Sequence, residues 1–90
     1  SIDAGAPDLS RSGKIVVRRE RRGHGGKTVT VIDGLKLGGA QLESVARILR
    51  KALGCGSRVE DGRVVLQGDL ATAVATWLGA HGAARVIVGN

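Results

Sequence analysis

Ninety residues with 42% apolar content are enough for one small domain, and a domain of this size buries only about 60% of the surface its unfolded chain exposes. Fourteen Lys and Arg against eight Asp and Glu, a formal net charge of +6, favour nucleic acid or another polyanion as partner. One cysteine excludes an internal disulfide, and no apolar run approaches the roughly 20 residues that a membrane helix needs.

Residues 1–13 carry Pro7, two glycines and scattered charge with no hydrophobic period, which predicts a disordered tail. Because the chain opens on Ser1 and contains no Met, it is expected to be a processed or trimmed product. Lys14–Arg22 reads as a strand, apolar on both faces at its start and charged on both at its end, so its last residues are expected to leave the core. Gly23-His24-Gly25-Gly26 forms the turn, and Lys27–Asp33, rich in Val, Ile and Thr, is the returning strand. From residue 40 to 53, Leu42, Val45, Ala46, Leu49 and Leu53 recur at helical spacing, with Arg47, Arg50 and Lys51 on the solvent side and Gly54 as the left-handed stop.

Ser57–Glu60 and Arg63–Gln67 flank Asp61-Gly62, a dipeptide that suits a type I′ hairpin turn. Asp69 is the expected N-cap of a second helix over residues 70–81, with Leu70, Ala73, Val74, Trp77 and Leu78 as its apolar stripe. Residues 85–88 form the last strand. The order ββαββαβ predicts an α+β two-layer sandwich over residues 14–90, with both helices on one face of the sheet.

Between Lys14 and Leu35 lie six cations and two anions, about +4 of the chain's formal +6. This places most of the charge on one hairpin, and an RNA-binding module follows as the leading reading. Trp77 is the only aromatic side chain of the Phe, Trp and Tyr class, so no base-stacking platform is available and binding must rest on phosphates and RNA shape. Trp77 itself falls on the helical stripe and is expected in the core.

Chemistry is excluded motif by motif. The Gly-rich tip ends in Gly26-Lys27-Thr28 like a phosphate loop, but Arg21 stands where that motif needs its first glycine, and a strand follows instead of a helix. His24, His81 and Cys55 have no metal-ligand spacing, and Cys55 has no base placed beside it. Neither a cofactor nor a metal is expected, and no enzymatic role. A small acylphosphatase-like plait would need an asparagine to position water, and the only one is the terminal Asn90.

With those residues in view, the chain resembles the small-subunit translation initiation factor family, that of the eukaryotic initiation factor one and its bacterial and archaeal relatives. The resemblance rests on the basic strand and Gly-rich loop, on residues 27–34 (KTVTVIDG), on the basic helix, on Gly54-Cys55-Gly56, on the Asp-Gly hairpin and on Leu66-Gln67-Gly68-Asp69. It covers residues 14–90 and looks like the shorter bacterial form. It implies a five-stranded mixed sheet carrying two helices, and binding to small-subunit rRNA near the P site, close to initiator tRNA and mRNA. The implied RNA contacts are the hairpin cations Arg18, Arg19, Arg21, Arg22, His24 and Lys27, and the helix cations Arg47, Arg50 and Lys51. A cytoplasmic monomer influencing start-codon choice is the expectation, with a general RNA-binding role in ribosome recycling or stress as the rival. The glycine-loaded loop departs from the family, as does the lack of the eukaryotic factor's long N-terminal tail.

Overall fold

The computed structural model describes residues 6–23 and 25–89. Alternating apolar residues build β1 (Lys14–Arg22) and β2 (Lys27–Asp33), followed by α1 (Gly39–Leu53), β3 (Ser57–Glu60), β4 (Arg63–Gln67), α2 (Ala71–Ala80) and β5 (Arg85–Gly89). The strands form one mixed sheet in the order β3-β4-β2-β1-β5. β5 runs parallel to β1, and the other pairings are antiparallel. Asp61 and Gly62 both have positive φ (52° and 73°), as the predicted I′ turn requires.

α1 packs over β3 and β4, and α2 over β1 and β5. Between helices and sheet lies the main core, with Ile15, Val17, Ile32, Val64 and Leu66 from the strands. Leu42, Val45, Ala46 and Leu49 enter it from α1, and Ala71, Val74, Trp77 and Leu78 from α2. Trp77 is therefore a core residue, stacked on His81 with ring centroids 4.0 Å apart. The α2 stripe is turned from the predicted one: Ala71 is buried and Ala73 is exposed.

Two further expectations are corrected. Asp69 does not cap α2; the N-cap is Leu70, whose N–H donates to Thr30 Oγ1 at 2.9 Å, while the Asp69 carboxylate turns to Arg19. The segment after residue 5, expected as tail, is packed. Leu9 is fully buried, its N–H donates to the His81 carbonyl at 3.1 Å, and buried Ser12 donates Oγ to the Leu35 carbonyl at 2.6 Å. Residues 1–5 of that expected tail lie outside the described residues.

The helix-free face has its own apolar patch, Val29, Val31 and Val65, each at most 2% exposed. No helix covers them, so the strands must. Pairing across the sheet sets Glu60 level with Val16, six residues before Arg22 on β1, with β2 and β4 intervening. A flat sheet would hold Glu60 and Arg22 roughly 25 Å apart, from strand spacings of about 4.8 Å and rises of about 3.3 Å. Their side chains instead meet at 2.6 Å. The β1–β2 arm is therefore coiled over the helix-free face, and its charged end roofs the three valines.

Candidate nucleic-acid interface

The strand alternation splits the arginines of β1 between two environments. Arg18 and Arg22 lie on the helix-free side, with side chains only 29% exposed. Glu20 sits between them and accepts from Arg22 at 2.8 Å and from Arg18 at 3.2 Å. Arg18 also approaches Asp33 at 3.6 Å, and Glu60 joins Arg22 to Arg58, which it meets at 3.0 Å. Donation from Arg22 and then Arg18 holds the Glu20 carboxyl below the usual glutamate range, and Arg58 and then Arg22 do the same for Glu60. Arg22 is in turn held charged by Glu20 and Glu60. These two arginines do not project freely from the strand as expected; they close the coiled arm.

Arg19 and Arg21 point to the helix side. Arg19 meets Asp69 at 3.1 Å. Arg21 is exposed and donates Nε to the Gly26 carbonyl at 3.2 Å, bracing the turn that the Gly26 N–H to Gly23 carbonyl bond closes. Lys27 is exposed on the opposite limb. His24, the remaining candidate of the tip, lies outside the described residues.

α1 supplies a simpler cationic surface. Arg47, Arg50 and Lys51 are exposed and in no ion pair among the described residues; Arg47 has only Ser44 Oγ at 3.5 Å. Gly54 caps the helix in the left-handed conformation, its N–H returned to the Arg50 carbonyl. From there the backbone leads to the tip through two bonds. The Gln67 N–H donates to the Gly56 carbonyl and the Gly68 N–H to the Thr28 carbonyl, each at 2.9 Å. The last turn of α1 and the hairpin tip therefore share one end of the molecule.

Five acids (Glu20, Asp33, Glu60, Asp61, Asp69) pair with five cations (Arg18, Arg19, Arg22, Arg58, Arg63). Of the 14 Lys and Arg, nine are in no ion pair among the described residues. Five of these, Arg21, Lys27, Arg47, Arg50 and Lys51, belong to the tip and α1. The other four, Arg11, Lys14, Lys36 and Arg85, were not among the sequence-derived candidates. Burial pushes the Cys55 thiol up, against a role as nucleophile, and among the described residues no group of three or more His, Cys, Asp or Glu could hold a metal ion.

A two-layer α+β domain with exposed cations on its rim is the class that fold and surface define. Residues 11–84 match the model of the family described as Translation initiation factor SUI1, and the chain belongs to that family. It is 40% identical over 57 residues to an Escherichia coli protein named "Uncharacterized protein YciH", covering 63% of this chain and 53% of that one. The Salmonella typhimurium protein of the same name is 34% identical over 70 residues, 78% of this chain and 65% of the relative. A "Protein translation factor SUI1 homolog" of Methanopyrus kandleri is 41% identical over 44 residues, 49% of this chain and 42% of its own length. The matches thus span about two fifths to two thirds of the relatives' own lengths.

Proposed function

We propose that the chain acts in translation initiation by binding the small ribosomal subunit near the P site, through rRNA phosphates, and by influencing the choice of start codon and initiator tRNA. The observation that carries this reading is the shared end of α1 and the hairpin tip, where Arg21, Lys27, Arg50 and Lys51 are exposed and in no ion pair among the described residues. Rigid cations on a helix suit a fixed array of phosphates, and Arg and Lys contacts of this kind position a protein on RNA without reading its bases. The mechanism is occupancy and charge, with no bond made or broken. The α1 cations dock, the tip lies towards mRNA and initiator tRNA, and a correct codon–anticodon helix favours displacement. Membership of the SUI1 family supports the pathway, and a cytoplasmic setting goes with it.

Sedimentation of the purified chain with isolated small and large ribosomal subunits tests the reading. Retention by small subunits, with affinity falling by roughly 0.7–0.9 logarithmic units per phosphate contact for each tenfold rise in salt, is the expected result. Equal retention by both subunits reduces it to general RNA affinity, the recycling or stress reading.

A further inference from the structure

The four remaining cations that are in no ion pair among the described residues gather at the end of the sheet opposite the hairpin tip. Lys14 opens β1 and Arg85 opens β5, and the two are direct partners in the parallel ladder, so both side chains leave the same face of adjacent strands. Lys36 joins them from the loop after β2: its Nζ lies 3.7 Å from the place a Cβ would take on Gly13. Arg11 lies one residue before Ser12, whose buried Oγ bond to the Leu35 carbonyl fixes the 11–14 segment against the 34–36 loop. All four are exposed.

The surrounding acids leave this charge in place. Asp33 turns to Arg18 at 3.6 Å, Asp8 is held mainly by Ser10 with a smaller attraction to Arg11, and Glu43 rides on α1 over the β3–β4 side of the sheet. Lys36 also holds a backbone φ of 55°, a left-handed conformation that a non-glycine residue adopts at a cost. That strain sits at the residue whose ammonium completes the cluster.

We propose that Arg11, Lys14, Lys36 and Arg85 form a second RNA-phosphate site, so that the domain spans two RNA segments rather than resting on one. The eight residue steps from Lys14 to Arg22 give a path of about 26 Å along the strand between the two ends, more than one backbone contact covers. Arginine beside lysine on adjacent strands offers two donors to neighbouring phosphate oxygens, and such contacts need no apolar or aromatic companion. The inference shares with the functional reading only the premise that the ligand is RNA.

The four lysines divide evenly between the ends, Lys27 and Lys51 at one and Lys14 and Lys36 at the other. Amine acetylation of the intact chain, read residue by residue by mass spectrometry, therefore reports each end separately. Two probes are used: isolated small ribosomal subunits and a short RNA duplex. The expected result is several-fold slower acetylation of Lys14 and Lys36, as well as of Lys27 and Lys51, in the bound state. The folded K14Q/K36Q/R85Q variant should then show a salt dependence shallower by roughly 2 on a log–log plot, three contacts at about 0.7–0.9 each. Protection on the duplex without binding to subunits keeps the second site and removes the ribosomal reading. Unchanged acetylation of Lys14 and Lys36 in a formed complex, or no binding to either probe, overturns the second site, and in the first case the ribosomal reading survives.

Discussion

Arg22 and Glu60 are 38 residues apart in sequence and stand on strands separated by two others, yet Arg22 Nη1 donates to Glu60 Oε1 at 2.6 Å. With Glu20 and Arg58 this contact holds the hairpin arm down over Val29, Val31 and Val65. The arm is thereby a pre-bent element, and only the turn between Arg22 and Lys27 extends past the pairing.

An acid limit on stability follows from the two glutamates. Both carboxyls titrate below their ordinary range in the fold because arginines donate to them. A carboxyl with a depressed folded pKa binds its proton more readily in the unfolded chain. Its contribution to stability is complete above the unfolded value, about 4.3, and is lost as pH falls through the lower folded value. The denaturant midpoint should be flat down to about pH 4.3 in this respect and then decline. In the E20Q/E60Q variant the starting stability should be lower and the acid decline smaller. An unchanged acid profile in that variant would remove the network as its source.

The docked N-terminal segment predicts that Leu9 behaves as a core residue. Leu9→Ala should cost about 2–5 kcal/mol in a denaturant melt, the range for a buried leucine that leaves a cavity. A loss within experimental error would mean that the segment does not contribute to the folded state. Nothing in the sequence announced this. A lone leucine among Ala, Pro, Asp and Ser has no period to betray a buried face, and the segment's partners, His81 for Leu9 and Leu35 for Ser12, are distant in the chain. The strands and helices were legible because each repeats its apolar positions, and the Asp61-Gly62 turn because its backbone demands those residues. The contact of Arg22 with Glu60 was not, since coiling of the sheet decides it. For the same reason Arg11, Lys14, Lys36 and Arg85 looked scattered along the chain until the parallel pairing of β5 with β1 brought them to one end.

Gly34 should tolerate no side chain. Its φ is +92°, and a Cβ would fall 2.5 Å from the Lys14 carbonyl oxygen, a backbone atom that the β1 ladder holds in place. Gly34→Ala is expected to lose about 1–3 kcal/mol from the backbone conformation alone, with the clash adding to it. Gly38→Ala is the control, because no atom lies within 4 Å of its Cβ position and its φ is −70°. Thermal melts of the two variants should differ by many degrees, and equal melting would show that the loop after β2 can shift to absorb the clash.

Trp77→Ala should destabilise the domain by about 3–5 kcal/mol, as for other buried large aromatics. The ring is 8% exposed and stacks on His81, whose Nδ1 lies 2.8 Å from the Trp77 carbonyl. A nearly unchanged denaturant melt, combined with a loss of RNA affinity, would return the ring to the surface as a stacking residue.

The last prediction separates docking from discrimination. Arg47, Arg50 and Lys51 lie on a helix whose other face is anchored by Leu42, Val45, Ala46 and Leu49, so their Cα positions are fixed before any ligand arrives. Arg21 and Lys27 flank a turn whose Gly23 and Gly26 both have positive φ, and ordering such a segment on a ligand costs about 1–2 kcal/mol per residue fixed. The Arg21 bond to the Gly26 carbonyl offsets part of that cost by bracing one side of the turn, but it also occupies the guanidinium Nε. Static affinity should therefore rest on α1. The R47Q/R50Q/K51Q variant is expected to bind empty small subunits at least about tenfold more weakly, since each lost phosphate contact removes a counterion-release contribution. The R21Q/K27Q variant should keep most of the affinity and change the ratio of initiation at AUG to initiation at a near-cognate codon. Arg18 and Arg22 belong to neither set, because their substitution disturbs the Arg18–Glu20–Arg22 chain that ties the arm to Glu60 and would alter both readouts together. If the tip variant abolishes subunit binding while the helix variant changes only codon choice, the two roles are exchanged. In that case the turn must already be rigid in the free protein, and slow hydrogen exchange at the amides of Gly25 and Gly26 would show it.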